Sequence, residues 1–474
     1  MERRLRVDPP RLTRRTQLRR AAAATGAMLV GPALAACAGP AGPKAQPNRV
    51  VPATRLLVNL SYQGAGTYGG VIQSLVENYI AQNFSARHRG VEVRTVPAPR
   101  DASSGTPGAP AVLTLDPSGV PTGIGAQLAA IIAGTGADVL SGTGYALAAF
   151  VDNGVLLPLD PLVAAAGLDL SVFDPGHIEI LRQPPQGLFG LPAFDGPAVV
   201  LANRAPLDTL GLSFPGPDWT AEQAVTLWEH LAGQRGGRHL WGMAFDLQDY
   251  FLHLFGGDLM NADGTQCLLD QPLVVQAADW LVPLYQNGVC DVMATGAGSD
   301  VRGGLAALGM TGGRSLQADL LAMEGMGVGW DFLPMPVFPG GRRSTYNNGD
   351  WYGINARSRH PQDLLWELLL FIATDAGLAR LLFRTTFVPP NQRTLWADWL
   401  ASVRAAAPVL QTKHLEYFVQ AMDYGYCNHR FRYQPYTCDQ ILERWIIRIF
   451  LGTVSPPLGL QRATAEINAL QAKG

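Results

Sequence analysis

Short apolar strands alternate with amphipathic helices along this chain, and that alternation narrows the fold more than any other feature. Arg55-Leu56-Leu57-Val58-Asn59-Leu60 reads as a short apolar strand. A helix is expected over 70–84, with Val71, Leu75, Val76 and Ile80 supplying one face. Val91-Glu92-Val93-Arg94-Thr95-Val96 alternates and reads as a strand. Gln127–Ala133 reads as helix and Ala137-Asp138-Val139-Leu140 as the next buried strand. Strand, helix, strand in this rhythm is the pattern of an α/β layer with a largely parallel sheet. Residues 97–122, rich in Pro, Gly, Ser and Ala, interrupt it as an expected surface insertion.

The central and C-terminal parts repeat the grammar. Thr220-Ala221-Glu222-Gln223 is a capping box that opens a helix with Ala224, Leu227, Trp228 and Leu231 on its apolar face. Pro272 leads into Val274, Ala277, Leu281 and Leu284, with Pro283 expected to kink or end that helix. Pro361 opens an apolar helix to about Ala373, and Ser455-Pro456 starts a last one with Leu460, Ile467 and Leu470. No repeat array or coiled-coil heptad is present. A chain of this length is too long for one core and calls for two lobes.

The first fifty residues have a different character. Thr13-Arg14-Arg15-Thr16-Gln17-Leu18-Arg19 resembles a twin-arginine export motif. The run Ala21 to Ala36 that follows is too short and too rich in Ala, Gly and Pro for a membrane span. It ends in Leu34-Ala35-Ala36-Cys37, which resembles a lipoprotein cleavage box with Cys37 as the lipidated residue. Residues 38–50 read as a tether. The leader holds eight arginines against Glu2 and Asp8, so its removal turns a whole-chain charge of −2 into −8. Such a balance argues against nucleic acid or an anionic membrane surface as partner. Attachment to the membrane is expected through the lipid only.

Beyond Cys37 the cysteines are Cys267, Cys290, Cys427 and Cys438. Four thiols outside the cytoplasm allow three pairings; the sequence-local ones, 267 with 290 and 427 with 438, are expected here. No C-x-x-C occurs, and no metal or cofactor site is expected.

Several segments, in order, resemble the family 1 extracellular solute-binding proteins, the maltose-binding-protein-like group. They are Asn153 to Asp160, Gly190-Leu191-Pro192-Ala193-Phe194-Asp195-Gly196, Asp218-Trp219-Thr220, Asn261 to Cys267, and Gly349-Asp350-Trp351-Tyr352-Gly353-Ile354 with the Pro361 helix. Ala202-Asn203-Arg204, the 97–122 insertion and an aromatic segment at 417–438 depart from the pattern. The resemblance implies a two-lobed α/β fold of the periplasmic-binding-protein type, with a ligand cleft between the lobes and three hinge crossings. These are expected near 192–197, 334–338 and 387–390. Lobe I would take 51–194 with 337–387, and lobe II 195–336 with 388–474, after a signal over 1–36 and an anchor over 37–50. It further implies an exported monomer that hands a small solute, a sugar, to the permease subunits of an ABC importer.

Sugars are held by aromatic faces and by polar side chains that answer their hydroxyls. The candidate contacts are Tyr62 and Gln63 after the first strand, Ser141 and Thr143 after the 137–140 strand, and Phe194 and Asp195 in the first crossing. Trp241, Asp246 and Arg314 are candidates from the second lobe; Asn348, Asp350 and Trp351 follow a crossing. Two other classes compete. A glycan-active enzyme needs a marked carboxylate pair, and no G-x-S-x-G, H-E-x-x-H, Walker loop or dinucleotide fingerprint appears. A binder of iron, polyamine or peptide on the same fold is the other, with Tyr424, Tyr426, His429, Tyr433 and Tyr436 as hard ligands for iron, or else as packing aromatics.

Overall fold

The computed structural model describes residues 54–60, 69–97, 124–142, 144–183, 187–194, 196–235, 237–246, 250–294, 297–346, 350–426 and 431–472. The expected export signal, Cys37, the expected tether and residues 98–122 lie outside the described residues.

The strands of the two main sheets are β1 (Thr54–Leu60), β2 (Val91–Pro97), β3 (Val139–Gly142), β4 (Leu191–Phe194), β5 (Ala198–Asn203), β6 (Arg238–Asp246), β7 (Cys290–Ala294), β8 (Ala306–Gly312), β9 (Trp330–Leu333) and β10 (Asp350–Ile354). Helices around them include α1 (Gly69–Ile80), α2 (Gly144–Asp152), α3 (Ala221–Leu231), α4 (Pro272–Gln286), α5 (Leu316–Met326), α6 (Gln362–Thr374), α7 (Pro435–Phe450) and α8 (Pro456–Gln471). The first sheet runs β2-β1-β3-β10-β4, with β1 parallel to β2 and β3, and β10 antiparallel to both of its neighbours. The second runs β7-β6-β8-β5-β9, with the short strand Gly233–Arg235 added antiparallel to β6; β6, β7 and β8 are parallel, and β5 reverses between β8 and β9.

Each sheet carries its own core. Leu56, Val58, Val76, Ile80, Val139, Trp351 and Leu369 are buried together around the first. Val199, Leu201, Trp228, Met243, Leu308, Phe332, Trp399 and Ile446 are buried around the second. Two cores on one chain follow from surface-to-volume scaling, since a single core of this size is not built from two-layer packing. Strand β5 is buried from end to end, as a continuous apolar run between two strands should be.

Local readings are met with two adjustments. Thr220 Oγ1 accepts from Gln223 N–H and the Gln223 side chain accepts from Thr220 N–H, completing the capping box of α3. On α1 the buried stripe is Ile72, Val76 and Ile80, continued by Phe84, while Leu75 is exposed. A spacing of four residues thus decides the face. Helix α4 runs through Pro283 to Gln286, because a proline in the last turn removes only one intrahelical bond and its carbonyl still accepts from Asn287 N–H at 3.0 Å.

The disulfide reading is corrected. Cys267, Cys290 and Cys438 are free, buried thiols. Cys267 closes the bridge to Met260 and leans on α8, its N–H donating to Asn468 Oδ1 at 2.8 Å. Cys290 opens the edge strand β7, beside Met243, so the two thiols belong to different elements. The Cys438 Sγ lies 3.2 Å from Gln471 Nε2. Cys427, its expected partner, lies outside the described residues.

Candidate functional site

The register of the strands brings their ends to two common edges. In the first sheet Gly142 pairs with Trp351 and Phe194 pairs with Asp350, so the C-termini of β3 and β4 and the start of β10 share one edge. In the second, Ala294 pairs with Asp246 and Gly312 with Ala198, so the C-termini of β6, β7 and β8 meet the start of β5. Leu333 beside Val200 adds the end of β9. C-terminal strand ends are where open α/β sheets receive ligands.

The chain passes between these edges three times. From β4 to β5 only residues 195–197 intervene. The second passage falls later than expected. Residues 334–345 stay on the second lobe: Trp219 Nε1 donates to the Pro334 carbonyl at 2.9 Å, Phe338 is buried in the second core, and Arg343 Nη2 donates to the Pro217 carbonyl at 2.6 Å. The strand pair Thr345–Tyr346 with Gly425–Tyr426 follows, and the chain rejoins the first sheet at Asp350. The third passage is at Phe387 and Val388, which are buried in the second and first cores respectively.

Two side chains stitch the passages together, and the sequence reading overlooked both. Asn391 Nδ2 donates to the carbonyls of Pro192 at 2.6 Å and Ala373 at 3.0 Å, tying the third passage to the first. Thr345 Oγ1 donates to the Ala198 carbonyl at 2.5 Å, tying the second to the first. Phe387 holds a left-handed backbone, φ 62°, and its carbonyl accepts from Trp399 Nε1–H at 3.0 Å. The only signal in the sequence was Pro389-Pro390-Asn391: an amide behind two prolines enters a stretch short of donors.

The predicted contacts separate into three groups. Tyr62, Gln63, Thr143, Asp195 and Asn348 lie outside the described residues, each directly beyond or between the edge-forming strand ends in sequence. Phe194, Asp246 and Arg314 are placed at the edges by their backbone: the ends of β4 and β6, and the turn Gly313–Ser315 after β8. A Cβ on Gly313 would stand 2.5 Å from Pro389 Cγ, so this turn abuts the third passage.

Of the remaining four, Trp351 and Trp241 are corrected. Trp351 is fully buried, edge-on to Phe150 at 5.5 Å between ring centroids, in a slot where a Cβ on Gly142 would stand 2.7 Å from its ring and one on Gly190 3.1 Å from its Cβ. It is the keystone of a central strand covered on both faces, not a stacking platform. Asp350 reaches the edge but is 1 % exposed, and its carbonyl accepts from His177 Nε2–H at 2.8 Å. Ser141 is buried one residue short of the edge. Trp241 sits five residues before the end of β6, its ring parallel to Tyr285 at 6.1 Å and edge-on to His239 at 4.6 Å. It packs at the opposite end of the strand.

Behind the second edge lies a buried charge. Asp319 on α5 is fully buried and accepts from Thr311 Oγ1–H at 2.6 Å and from Arg302 Nη1–H. Burial outweighs both partners and pushes its carboxyl up to about 6. The tyrosines considered for iron have separate partners: Arg343 lies 5.6 Å over Tyr424, Tyr426 stacks on His253 at 3.5 Å, and Arg432 lies 5.4 Å from Tyr433. His429 lies outside the described residues. Among the described residues no group of three or more His, Cys, Asp or Glu is arranged to hold a metal, and no helix is long and apolar enough to cross a membrane.

The family model for bacterial extracellular solute-binding protein matches residues 73–379. Solved structures share the fold at low identity. An ABC substrate-binding protein from Listeria monocytogenes in complex with cycloalternan superposes with TM-score 0.67 at 14% identity, over 88% of this chain and 99% of that one. The sugar-binding protein MalE from Xanthomonas citri gives 0.65 at 17%, over 89% and 98%. UgpB from Mycobacterium tuberculosis in complex with glycerophosphocholine gives 0.64 at 16%, over 88% and 98%. No curated protein sequence matches the chain.

Proposed function

Because the chain belongs to the bacterial extracellular solute-binding protein family, we propose that it is the lipid-anchored capture component of an ABC importer, closing its two lobes around a carbohydrate. It is a binding protein, not an enzyme, and it works outside the cytoplasm. The observation that carries the reading is the linking of two sets of strand ends by three chain passages. A hinge of that kind turns differential affinity into motion. A solute that binds the closed form a hundredfold better than the open one shifts the balance by about 2.7 kcal/mol.

In this reading Tyr62, Gln63, Thr143, Phe194, Asp195, Asp246, Arg314 and Asn348 contact the solute, from the strand ends of both sheets. Lobe I takes 54–194 with 350–386 and lobe II 196–346 with 389–472, Phe387 and Val388 forming the passage between them. The carbohydrate assignment is supported by the cycloalternan complex of one structural relative and the sugar-binding description of another. The phosphodiester held by a third marks the nearest alternative. Anchoring rests on the resemblance of Leu34-Ala35-Ala36-Cys37 to a lipoprotein box.

A thermal-shift screen over sugars, polyols, glycerophosphodiesters, polyamines and metals, followed by calorimetry on the best ligand, tests the solute. A hit confined to metals or polyamines overturns the carbohydrate reading, and consumption of the ligand overturns the binding role. Scattering with and without ligand should show compaction. Cys37→Ala should release the protein from the membrane fraction, and unchanged sedimentation refutes the anchor.

A further inference from the structure

The C-terminal hairpin ends in a surface that the solute cycle does not use. Helices α7 and α8 pack against each other, joined by residues 451–455. From 444 to 462 the sequence holds Arg444, Arg448 and Arg462 and no acidic residue. All three guanidinium groups surround one indole, at 5.7, 4.7 and 5.7 Å from the Trp445 ring. Arg444 is paired with Glu466, which also accepts from Trp445 Nε1–H at 3.0 Å. Among the described residues no carboxylate pairs with Arg448 or Arg462, and both are exposed. Two leucines stand beyond them at the tip, Leu451 at 59% and Leu458 at 41% exposure.

The position of the tip is fixed by α4. Gln286 Nε2 donates to the Phe450 carbonyl at 3.2 Å, and Gln286 ends the helix that leads into the start of β7. The solute edge is at the other end of β7, so the tip lies at the end of the second lobe away from the cleft. Exposed leucines one helical turn from unpaired arginines suit the boundary of a bilayer. There the apolar side chains enter the acyl region and the guanidinium groups meet phosphates. The −8 charge of the mature chain opposes an anionic surface on average, but here three arginines meet one paired carboxylate, Glu466, and the local sign is reversed.

We propose that Arg448, Arg462, Leu451 and Leu458 form a docking surface for anionic phospholipid. Docked there, the protein would rest with its cleft edge turned away from the bilayer, open to the medium. The contact is weak by design: about five-fold in partitioning per arginine at the surface, lost at high salt.

The test is partitioning of the full chain onto vesicles of phosphatidylcholine with about one-third phosphatidylglycerol, against phosphatidylcholine alone. The leader is common to wild type and variants, so their ratio reports the tip. Arg448→Glu with Arg462→Glu should lower the partition coefficient at least ten-fold on the anionic vesicles and leave it unchanged on the neutral ones. Leu451→Asp with Leu458→Asp should lower it on the anionic vesicles with the arginines intact. Both pairs are exposed, and unchanged thermal midpoints would show that the fold survives. Equal partitioning of wild type and the arginine variant overturns the proposal. So does loss of binding to polyglutamate without loss on vesicles, which would mark an acidic protein partner instead.

Discussion

Asn391 and Pro192 are 199 positions apart, and a 2.6 Å hydrogen bond from the Asn391 amide to the Pro192 carbonyl joins the third chain passage to the first. The same amide also reaches the Ala373 carbonyl, so one buried side chain holds the strand before one passage and the helix before another. A hinge needs rigid ends for its few moving residues, and this amide supplies one.

Asn391→Leu should therefore leave two carbonyls short of a donor and cost about 1–3 kcal/mol in urea unfolding. Asn391→Asp should cost at least as much, because an acceptor would face acceptors. Both variants should also widen the distribution of lobe separations in solution scattering, and an unchanged unfolding midpoint would refute the role.

Trp351→Ala should destabilise the first lobe by about 3–5 kcal/mol, since it empties a slot bounded by Gly142, Gly190, Gly353 and Phe150. Any loss of solute affinity should follow the loss of fold, read by denaturant titration beside calorimetry. A stable variant with weakened binding would restore the indole to the cleft.

Asp319 predicts a pH signature. Its carboxyl is raised from 3.8 to about 6 in the folded protein, so the folded state holds the proton more tightly than the unfolded chain. The stabilising contribution is complete below about pH 4 and is lost as pH rises through 6. Relative to Asp319→Asn, wild type should gain about 2–3 kcal/mol on going from pH 7.5 to pH 4, in urea titrations of both proteins. A flat difference would mean that Arg302 and Thr311 hold the carboxylate ionised.

The thiols of Cys267, Cys290 and Cys438 should resist alkylation in the native protein, since burial raises all three, Cys267 and Cys438 to about 11. After unfolding without reductant, peptide mapping should find all three alkylated. A disulfide at any of them would reinstate the pairing expected of an exported chain.

The fold was legible where local chemistry decides it. Thr220 and Gln223 announce a helix start, and Val91 to Val96 a strand, through contacts spanning a few residues. The site was less so, because the same residue types serve both purposes. Gly-Asp-Trp reads equally as a solute platform or as a strand buried on both faces, and only the pairing of β10 between β3 and β4 decides for the second. Trp241 misled in the same way: its sequence neighbours do not say which end of β6 faces the cleft. Asn391 was invisible because its partners are 199 and 18 positions distant.

The pairing of β10 between β3 and β4 also sets a timetable for synthesis. As the ribosome advances, the first sheet has β1 to β4 available early, yet the strand that belongs at its middle is still unmade. Until Asp350–Ile354 emerges, β3 and β4 have no common neighbour and the Gly142 slot has no indole to fill it. The second sheet, closed by β9 at Leu333, is complete first. The first sheet is thus the later of the two to be completed, while the second core still awaits Trp399 and Ile446, and nascent chains halted short of residue 350 should be held by chaperones through both unfinished cores.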